Sequence, residues 1–202
     1  MSQEKLEIAA FGMGCFWGPD ALFGAQEGVI RTQVGYAGGT KENPTYSDIG
    51  DHTETLLVEF DSENISYPDL LKLSWDNHYY SYNKQGTKNQ YASRIFYTSQ
   101  EQREQAEKSK AEKESEGKVA TEIQKLNFTV AENYHQKYRL RHSRMMENFS
   151  EMAPEKFRDS PLAAKLNGFV AGHLDLEDID KFNLEVEPGI KDCVINTARK
   201  FL

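Results

Sequence analysis

The stretch LEIAAFGMGCFWGPDALFGA, residues 6–25, combines the sequence signals of a strand and of a helix. Residues 6–11 form a short apolar run that ends at Gly12-Met13-Gly14, a pattern that predicts a strand entering a tight turn. From Cys15 to about residue 25, apolar side chains recur at a helical spacing. The stretch therefore predicts a strand, a turn and a helix, with Cys15 at the start of the helix.

The same alternation continues along the chain. Ser66, with Asp69 three residues later, has the pattern of a capping box at the start of a second helix. Further strands are predicted over residues 29–36, 53–60 and 93–97, with a candidate strand over 119–124, and further helices over 69–77, 99–117 and 162–171. In the strand over 53–60, the alternating residues Leu56, Val58 and Phe60 are expected on one face. The order strand–helix–strand occurs twice along the chain and predicts an α+β fold. The expected fold is a ferredoxin-like split βαβ two-layer sandwich, with its helices on one face of the sheet. Extra C-terminal helices and a tail follow this unit.

The length of the chain predicts its domain organisation. With 202 residues and no internal repeat or low-complexity linker, the chain suits one compact domain with a sizeable core. We assign the core that carries the motifs to residues 1–141. Residues 142–202 are expected to form a helical and irregular extension that packs on the same domain.

Charge and hydropathy argue against several classes of protein. The formal net charge of −8 does not suit nucleic-acid binding, which needs clustered lysines and arginines. No run approaches the roughly 20 apolar residues of a membrane span, and the first residues lack the pattern of a secretory signal. We therefore expect a cytoplasmic monomer with neither nucleic-acid nor membrane partners.

Two cysteines, Cys15 and Cys193, are too few for a disulfide scaffold, so reactivity is the more informative property. The N-terminus of a helix favours negative charge, because its first backbone N–H groups have no partner within the helix. Such a position can lower a thiol pKa from about 8.5 to roughly 3.5–7.5, and we expect Cys15 to be a nucleophile. The alternative is a buried cysteine that packs as a small apolar side chain.

The histidines give no indication of a metal centre. None of the five has a carboxylate or cysteine partner at ligand spacing, and we predict neither a metal nor another cofactor.

Several short motifs together resemble the methionine sulfoxide reductase A family. The match extends over about residues 9–141, and its motifs occur in the order that the family has. These motifs are Gly14-Cys15-Phe16-Trp17-Gly18, Gly35-Tyr36-Ala37-Gly38-Gly39, Asn43-Pro44-Thr45-Tyr46, His52-Thr53-Glu54, Gln90-Tyr91-Ala92-Ser93 and Ala131-Glu132-Asn133-Tyr134-His135-Gln136-Lys137-Tyr138.

The resemblance implies a thiol enzyme that reduces methionine-S-sulfoxide, free or in peptides. Cys15 matches the family's nucleophile, which attacks the sulfoxide sulfur and leaves a sulfenic acid. Glu54 matches the general acid, which has to be partly desolvated if it is to stay protonated near neutral pH. The expected reductant of the sulfenic acid is a resolving thiol or an external, thioredoxin-type dithiol protein.

The resemblance also implies how the substrate is held. Tyr46 and Tyr91 match two phenols that donate hydrogen bonds to the sulfoxide oxygen. Phe16 and Trp17 match an aromatic wall that receives the substrate's methyl group. His135 falls near the site by its position in the family pattern, although a structural histidine is an equal alternative.

Two departures from the family pattern concern the site. Residues 85–89 form a loop that is about two residues shorter than in most members, and the usual aspartate is missing from it. Lys88 or Asn89 could fill the space of that aspartate beside Tyr91, and the sequence does not decide between them. Cys193 has the C-terminal location of a resolving cysteine without its usual flanking motif, so that a resolving role and a bystander role are both open.

Two other functions remain as alternatives. One is a non-catalytic module that binds oxidised methionine, and the other is a peroxide sensor or thiol peroxidase based on Cys15. The combination of Cys15, Tyr46 and Glu54 favours the reductase, because a binding module needs neither a nucleophile nor an acid.

Overall fold

A computed structural model of the chain describes residues 5–81, 89–175 and 177–178. These residues form an α+β fold. The strands are β1 (Leu6–Met13), β2 (Val29–Ala37), β3 (Thr53–Asp61), β4 (Ser93–Tyr97), β5 (Glu122–Lys125) and β6 (Phe128–Val130). The helices are α1 (Trp17–Gly24), α2 (Tyr67–Asp76), α3 (Gln100–Glu116), α4 (Tyr138–Arg141), α5 (Pro154–Arg158) and α6 (Pro161–Val170), with 3₁₀ turns at Asn89–Tyr91, Asn133–His135 and Arg144–Phe149.

The strands form one mixed sheet in the order β5-β4-β1-β3-β2-β6. β1 is antiparallel to both β3 and β4, so the end of β1 lies beside the beginnings of β3 and β4. β2 is antiparallel to β3 and pairs Tyr36 with Glu54, and β4 is parallel to β5. The segment after β1, the first residues of β3 and the segment before β4 therefore meet at one end of the sheet.

The two faces of the sheet differ in what covers them. In β3, Leu56, Val58 and Phe60 are fully buried while the residues between them are half-exposed, which confirms the predicted alternation. On this face the strands pack against α1, α2 and α3, which contribute large apolar side chains such as Phe23 and Trp75. A smaller cluster on other residues of the sheet joins Ala10, Ala37 and Phe96 to Leu126 and Phe128.

Most element boundaries agree with the sequence predictions. β4 has the predicted bounds, and α2 begins directly after Ser66, whose side chain forms the predicted capping box with Asp69. The candidate strand over 119–124 is displaced: β5 is Glu122–Lys125. β6 was not predicted, because this three-residue strand is defined by its pairing with the distant β2 and has no periodicity of its own.

The last described helices hold α1 in place. α6 packs across α1 so closely that a Cβ on Gly24 would lie 2.6 Å from the Ala164 carbonyl oxygen. A second apolar cluster, including Leu140, Phe157 and Leu166, lies beneath this contact. Within the described ranges, no helix has the length and apolarity needed to cross a membrane.

Candidate active site

Cys15 lies between β1 and α1 on the surface of the protein, as a free thiol. Phe16 occupies the N-cap of α1 with no side-chain hydrogen bond, so the first helical N–H groups remain available. Although the residue is exposed, partial desolvation raises the pKa of the Cys15 thiol. The Trp17 N–H lowers this pKa, the carboxyl of Glu54 raises it and Arg139 lowers it. The expected depression by the helix N-terminus is therefore wrong for the free protein, because desolvation outweighs the single N–H.

Glu54 is buried beneath Cys15, with 1% of its surface exposed. Its Oε2 accepts a hydrogen bond of 3.1 Å from the Phe16 N–H, and its Oε1 accepts one of 2.8 Å from the Gln90 amide. Burial raises the pKa of Glu54, while these two hydrogen bonds act in the opposite direction. A carboxyl with a raised pKa retains its proton to higher pH, which is the state that a general acid requires.

Tyr46 and Tyr91 lie near Cys15 and Glu54, and 38% and 47% of their surfaces are exposed. Their phenol groups share a hydrogen bond, and Tyr91 also interacts electrostatically with Glu54 and Cys15. Desolvation, followed by the nearby carboxyl of Glu54, raises the pKa of Tyr91 to about 12, so that it stays a hydrogen-bond donor at neutral pH.

Glu132, which sequence reasoning did not single out, holds Tyr46 in place. Its Oε1 accepts the Tyr46 N–H at 2.9 Å and its Oε2 accepts the hydroxyl of the buried Tyr36 at 2.7 Å. Burial opposes ionisation of Glu132, but these hydrogen bonds outweigh it and lower the pKa. Glu132 is therefore an ionised anchor, and its pKa is shifted in the opposite direction to that of Glu54.

An aromatic surface borders the site. The Trp17 indole stacks on Tyr138 with ring centres 3.6 Å apart, and its N–H donates to Nδ1 of His135 at 3.2 Å. Phe16 is buried, and its ring lies 5.2 Å from the same imidazole. His135 is 1% exposed, also contacts the Tyr46 ring, and has its pKa lowered by burial. The structure thus places His135 in contact with the aromatic wall, with its proton on Nε2 because Nδ1 accepts a hydrogen bond.

A buried polar network supports α1 from behind. Asp20 accepts the backbone N–H of Lys137 at 3.0 Å and the Asn167 amide at 3.2 Å. Lys137 is fully buried, with its Nζ 2.6 Å from the Thr32 carbonyl oxygen and 3.7 Å from the Asp20 carboxylate. Lys137 also has a φ of 52°, a left-handed conformation that is uncommon outside glycine. The network was missed because a lysine in a polar motif gives no sign of burial.

The structure thus brings together the predicted residues at positions 15, 16, 17, 46, 54 and 91. Gln90, the residue before Tyr91, donates a hydrogen bond from its amide to Oε1 of Glu54. The prediction for Cys193 and most of the shortened loop fall outside the described residues. Among the residues that are described, no group of three His, Cys, Asp or Glu side chains is arranged to hold a metal ion.

Comparisons with known proteins identify the family of the chain. The chain is 45% identical over 183 residues to a peptide methionine sulfoxide reductase of Drosophila melanogaster, covering 89% of this chain and 73% of that protein. It is 43% identical over 153 residues to the MsrA protein of Methanococcus maripaludis strain C5, covering 71% and 98%.

Solved structures show the same likeness. Methionine sulfoxide reductase A of Corynebacterium diphtheriae aligns with a TM-score of 0.60 at 30% identity, covering 70% of this chain and 77% of that one. Reduced Mxr1 of Saccharomyces cerevisiae aligns with a TM-score of 0.60 at 25% identity, covering 70% and 88%. The family model described as "Peptide methionine sulfoxide reductase" matches residues 7–165. The chain therefore belongs to the peptide methionine sulfoxide reductase family and is an oxidoreductase.

Proposed function

We propose that the site reduces methionine-S-sulfoxide, free or in peptides, with Cys15 as nucleophile and Glu54 as acid. The observation that carries this proposal is the buried Glu54 carboxyl, which binds the N–H of the residue next to Cys15. One hydrogen bond thereby couples the position of the acid to that of the nucleophile. A sulfoxide needs both groups, since its oxygen has to be protonated as its sulfur is attacked.

The first half-reaction balances without a cofactor. The Cys15 thiolate attacks the sulfoxide sulfur, and Glu54 supplies a proton to the sulfoxide oxygen. The oxygen is transferred to the cysteine sulfur, so that methionine is reduced by two electrons and Cys15 is oxidised to a sulfenic acid. Tyr46 and Tyr91 donate hydrogen bonds to the oxygen as it gains negative charge, and their exposed, mutually bonded hydroxyls support this role.

The substrate's methyl group packs on Phe16 and Trp17 in this proposal. Trp17 is fixed on one face by Tyr138 and at its N–H by His135, which leaves little freedom for the indole ring. A ring that is already held in place loses little conformational entropy when a ligand packs on it.

The second half-reaction returns Cys15 to the thiol. A thiol condenses with the sulfenic acid to give a disulfide and water, and a dithiol then reduces that disulfide. We propose Cys193 as a candidate resolving thiol and a thioredoxin-type protein as the final reductant.

The two cysteines provide a matched pair of variants for the decisive experiment. Cys15→Ser should reduce the turnover of methionine-S-sulfoxide to background, because an alkoxide is very rare at neutral pH. Cys193→Ser should retain the first turnover and slow only the steady state supported by thioredoxin. Both variants are tested with separate sulfoxide epimers, with dithiothreitol and with thioredoxin, and circular dichroism checks their fold. Turnover by a folded Cys15→Ser variant would refute the assignment of the nucleophile.

A single turnover without reductant examines the resolving step. Mass spectrometry should find a disulfide between Cys15 and Cys193. A stable sulfenic acid with both cysteines unlinked would mean that an external thiol attacks Cys15 directly.

We also propose a fold type, a division into core and extension, and a cellular location for the chain. The order β4-β1-β3-β2 and the two helices α1 and α2 support a ferredoxin-like split βαβ unit. Residues 1–141 would form the catalytic core and residues 142–202 its extension, and the contact of α6 with α1 supports one domain. A cytoplasmic monomer is the setting that suits a protein reduced by a dithiol partner.

A further inference from the structure

One cation beside the site has no role in the proposed reaction. Arg139 follows Tyr138, the residue whose ring stacks on Trp17, and it is exposed on α4. The next residue, Leu140, is fully buried and fixes this short helix to the protein. The backbone of Arg139 is therefore held rigidly beside the aromatic wall while its side chain extends to solvent.

The guanidinium of Arg139 also acts on the nucleophile, since its charge lowers the pKa of Cys15. In the structure, Arg139 is the residue next to Tyr138, whose ring lies 3.6 Å from that of Trp17, so its backbone borders the aromatic surface of the site.

No anion among the described residues offsets the charge of Arg139. Among the residues that the structure describes, it makes no hydrogen bond and no ion pair. Arg141, on the same helix, is used differently: it lies 4.9 Å above the ring of Phe157. The ionised Glu132 at the site is already bonded to Tyr36 and Tyr46. Within residues 5–81, 89–175 and 177–178, Arg139 is accordingly a cation without an anionic partner, a group that suits an anion brought by the substrate.

We propose that Arg139 is a specificity-determining residue of this site and binds a carboxylate of the substrate. The carboxylate belongs either to an acidic side chain next to the oxidised methionine in a peptide or to free methionine sulfoxide itself. A guanidinium suits this ligand, because its planar N–H groups match the two oxygens of a carboxylate. The inference rests on the proposed reduction of methionine sulfoxide and adds the class of substrate that the site prefers.

The test compares substrates that differ only in charge. One pair of peptides places Asp or Asn next to methionine-S-sulfoxide, and a second pair is free methionine-S-sulfoxide and its amide. The measured quantity is the ratio of kcat/KM for the charged and the uncharged member of each pair. Any effect of Arg139 on the reactivity of Cys15 acts on both members and cancels in this ratio.

Arg139→Gln should lower the ratio by about 1.5- to 5-fold, the range expected for an exposed ion pair, and Arg139→Lys should retain part of it. Arg103→Gln is the matched control. It removes the same charge from α3, where the arginine pairs with Glu107, and should leave the ratio unchanged. Added salt should reduce the wild-type ratio in the same direction as Arg139→Gln.

Each outcome has a separate meaning. A fall in the peptide pair identifies a neighbouring acidic side chain as the ligand, and a fall in the second pair identifies the α-carboxylate. Ratios that do not change in Arg139→Gln, with turnover intact, would overturn the inference and leave the reductase proposal standing. If the wild-type protein turned over none of the four substrates, the proposed function itself would fail.

Discussion

Replacing Glu54 with Gln removes the acidic proton of this residue and nearly preserves the shape of its side chain. Gln keeps an oxygen that can accept the Phe16 N–H, the bond of 3.1 Å in the structure. Its amide group would face the Gln90 amide, which now donates to Oε1 at 2.8 Å, so that one hydrogen bond is lost or Gln90 has to turn. A hydrogen bond contributes about 0.5–1.5 kcal/mol, equivalent to roughly tenfold or less in rate. Loss of a general acid costs about 10²- to 10⁴-fold.

The size of the decrease therefore distinguishes the two explanations. We expect the single-turnover rate of sulfenic acid formation to fall by about 10²- to 10⁴-fold in Glu54→Gln. The matched control is Glu132→Gln, which also removes a carboxylate near Tyr46 but has no proposed contact with the sulfoxide. Its rate should fall by about tenfold or less. A decrease in Glu54→Gln that is no larger than that of the control would refute the assignment of Glu54 as the acid.

The pH dependence gives a second, independent test. The reactive form has Glu54 protonated and Cys15 ionised, so it contains one proton between the two groups. Burial raises both pKa values, and the one-proton state exists only between them. The wild-type rate should therefore rise through the pKa of Glu54 and fall again above the pKa of Cys15. In Glu54→Gln only the thiolate is needed, so the residual rate should keep rising with pH. The pKa that governs this rise should lie below the pKa at which the wild-type rate falls, because the charge of Glu54 raises the thiol pKa.

One prediction concerns the stability of the scaffold. Lys137→Met leaves Asp20 as a buried carboxylate without its cation, and should reduce the free energy of unfolding by about 3–5 kcal/mol in urea titrations. Adding Asp20→Asn to this variant should recover part of the lost stability. A Lys137→Met variant as stable as the wild type would contradict the role of the pair.

The local signals in the sequence were sufficient where short-range chemistry decides the structure. The capping box at Ser66 and the alternation of Leu56, Val58 and Phe60 depend on residues a few positions apart, and both appear in the structure as predicted. β6 could not be predicted in this way, since only its pairing with β2 makes it a strand. The same holds for the site, because the relation of Cys15 to Glu54 results from the register of β1 and β3.

Burial explains what the sequence could not indicate about the electrostatics. The helix N-terminus beside Cys15 predicts a lowered thiol pKa, but the structure adds a desolvating environment and a carboxyl below it, which together raise the pKa. Lys137 gives the clearest case of this kind. Its position in a polar motif gives no sign of burial, whereas its side chain is fully buried against Asp20 and the Thr32 carbonyl. Neither effect can be read from neighbours in sequence, because the groups responsible are distant along the chain.

The direction of the thiol pKa also bears on the choice between a reductase and a peroxide sensor. Peroxide oxidises thiolates, and cysteines that serve as sensors have low pKa values together with exposure. Cys15 is exposed, but its raised pKa keeps it protonated at neutral pH and therefore poorly reactive towards peroxide. A sulfoxide reaction does not need a resting thiolate in the same way. The proton that leaves Cys15 is the one that Glu54 has to deliver to the oxygen, so the two groups need to hold only one proton between them when the sulfoxide binds. The buried position of Glu54 beside the nucleophile suits that exchange of a proton between the thiol and the sulfoxide oxygen.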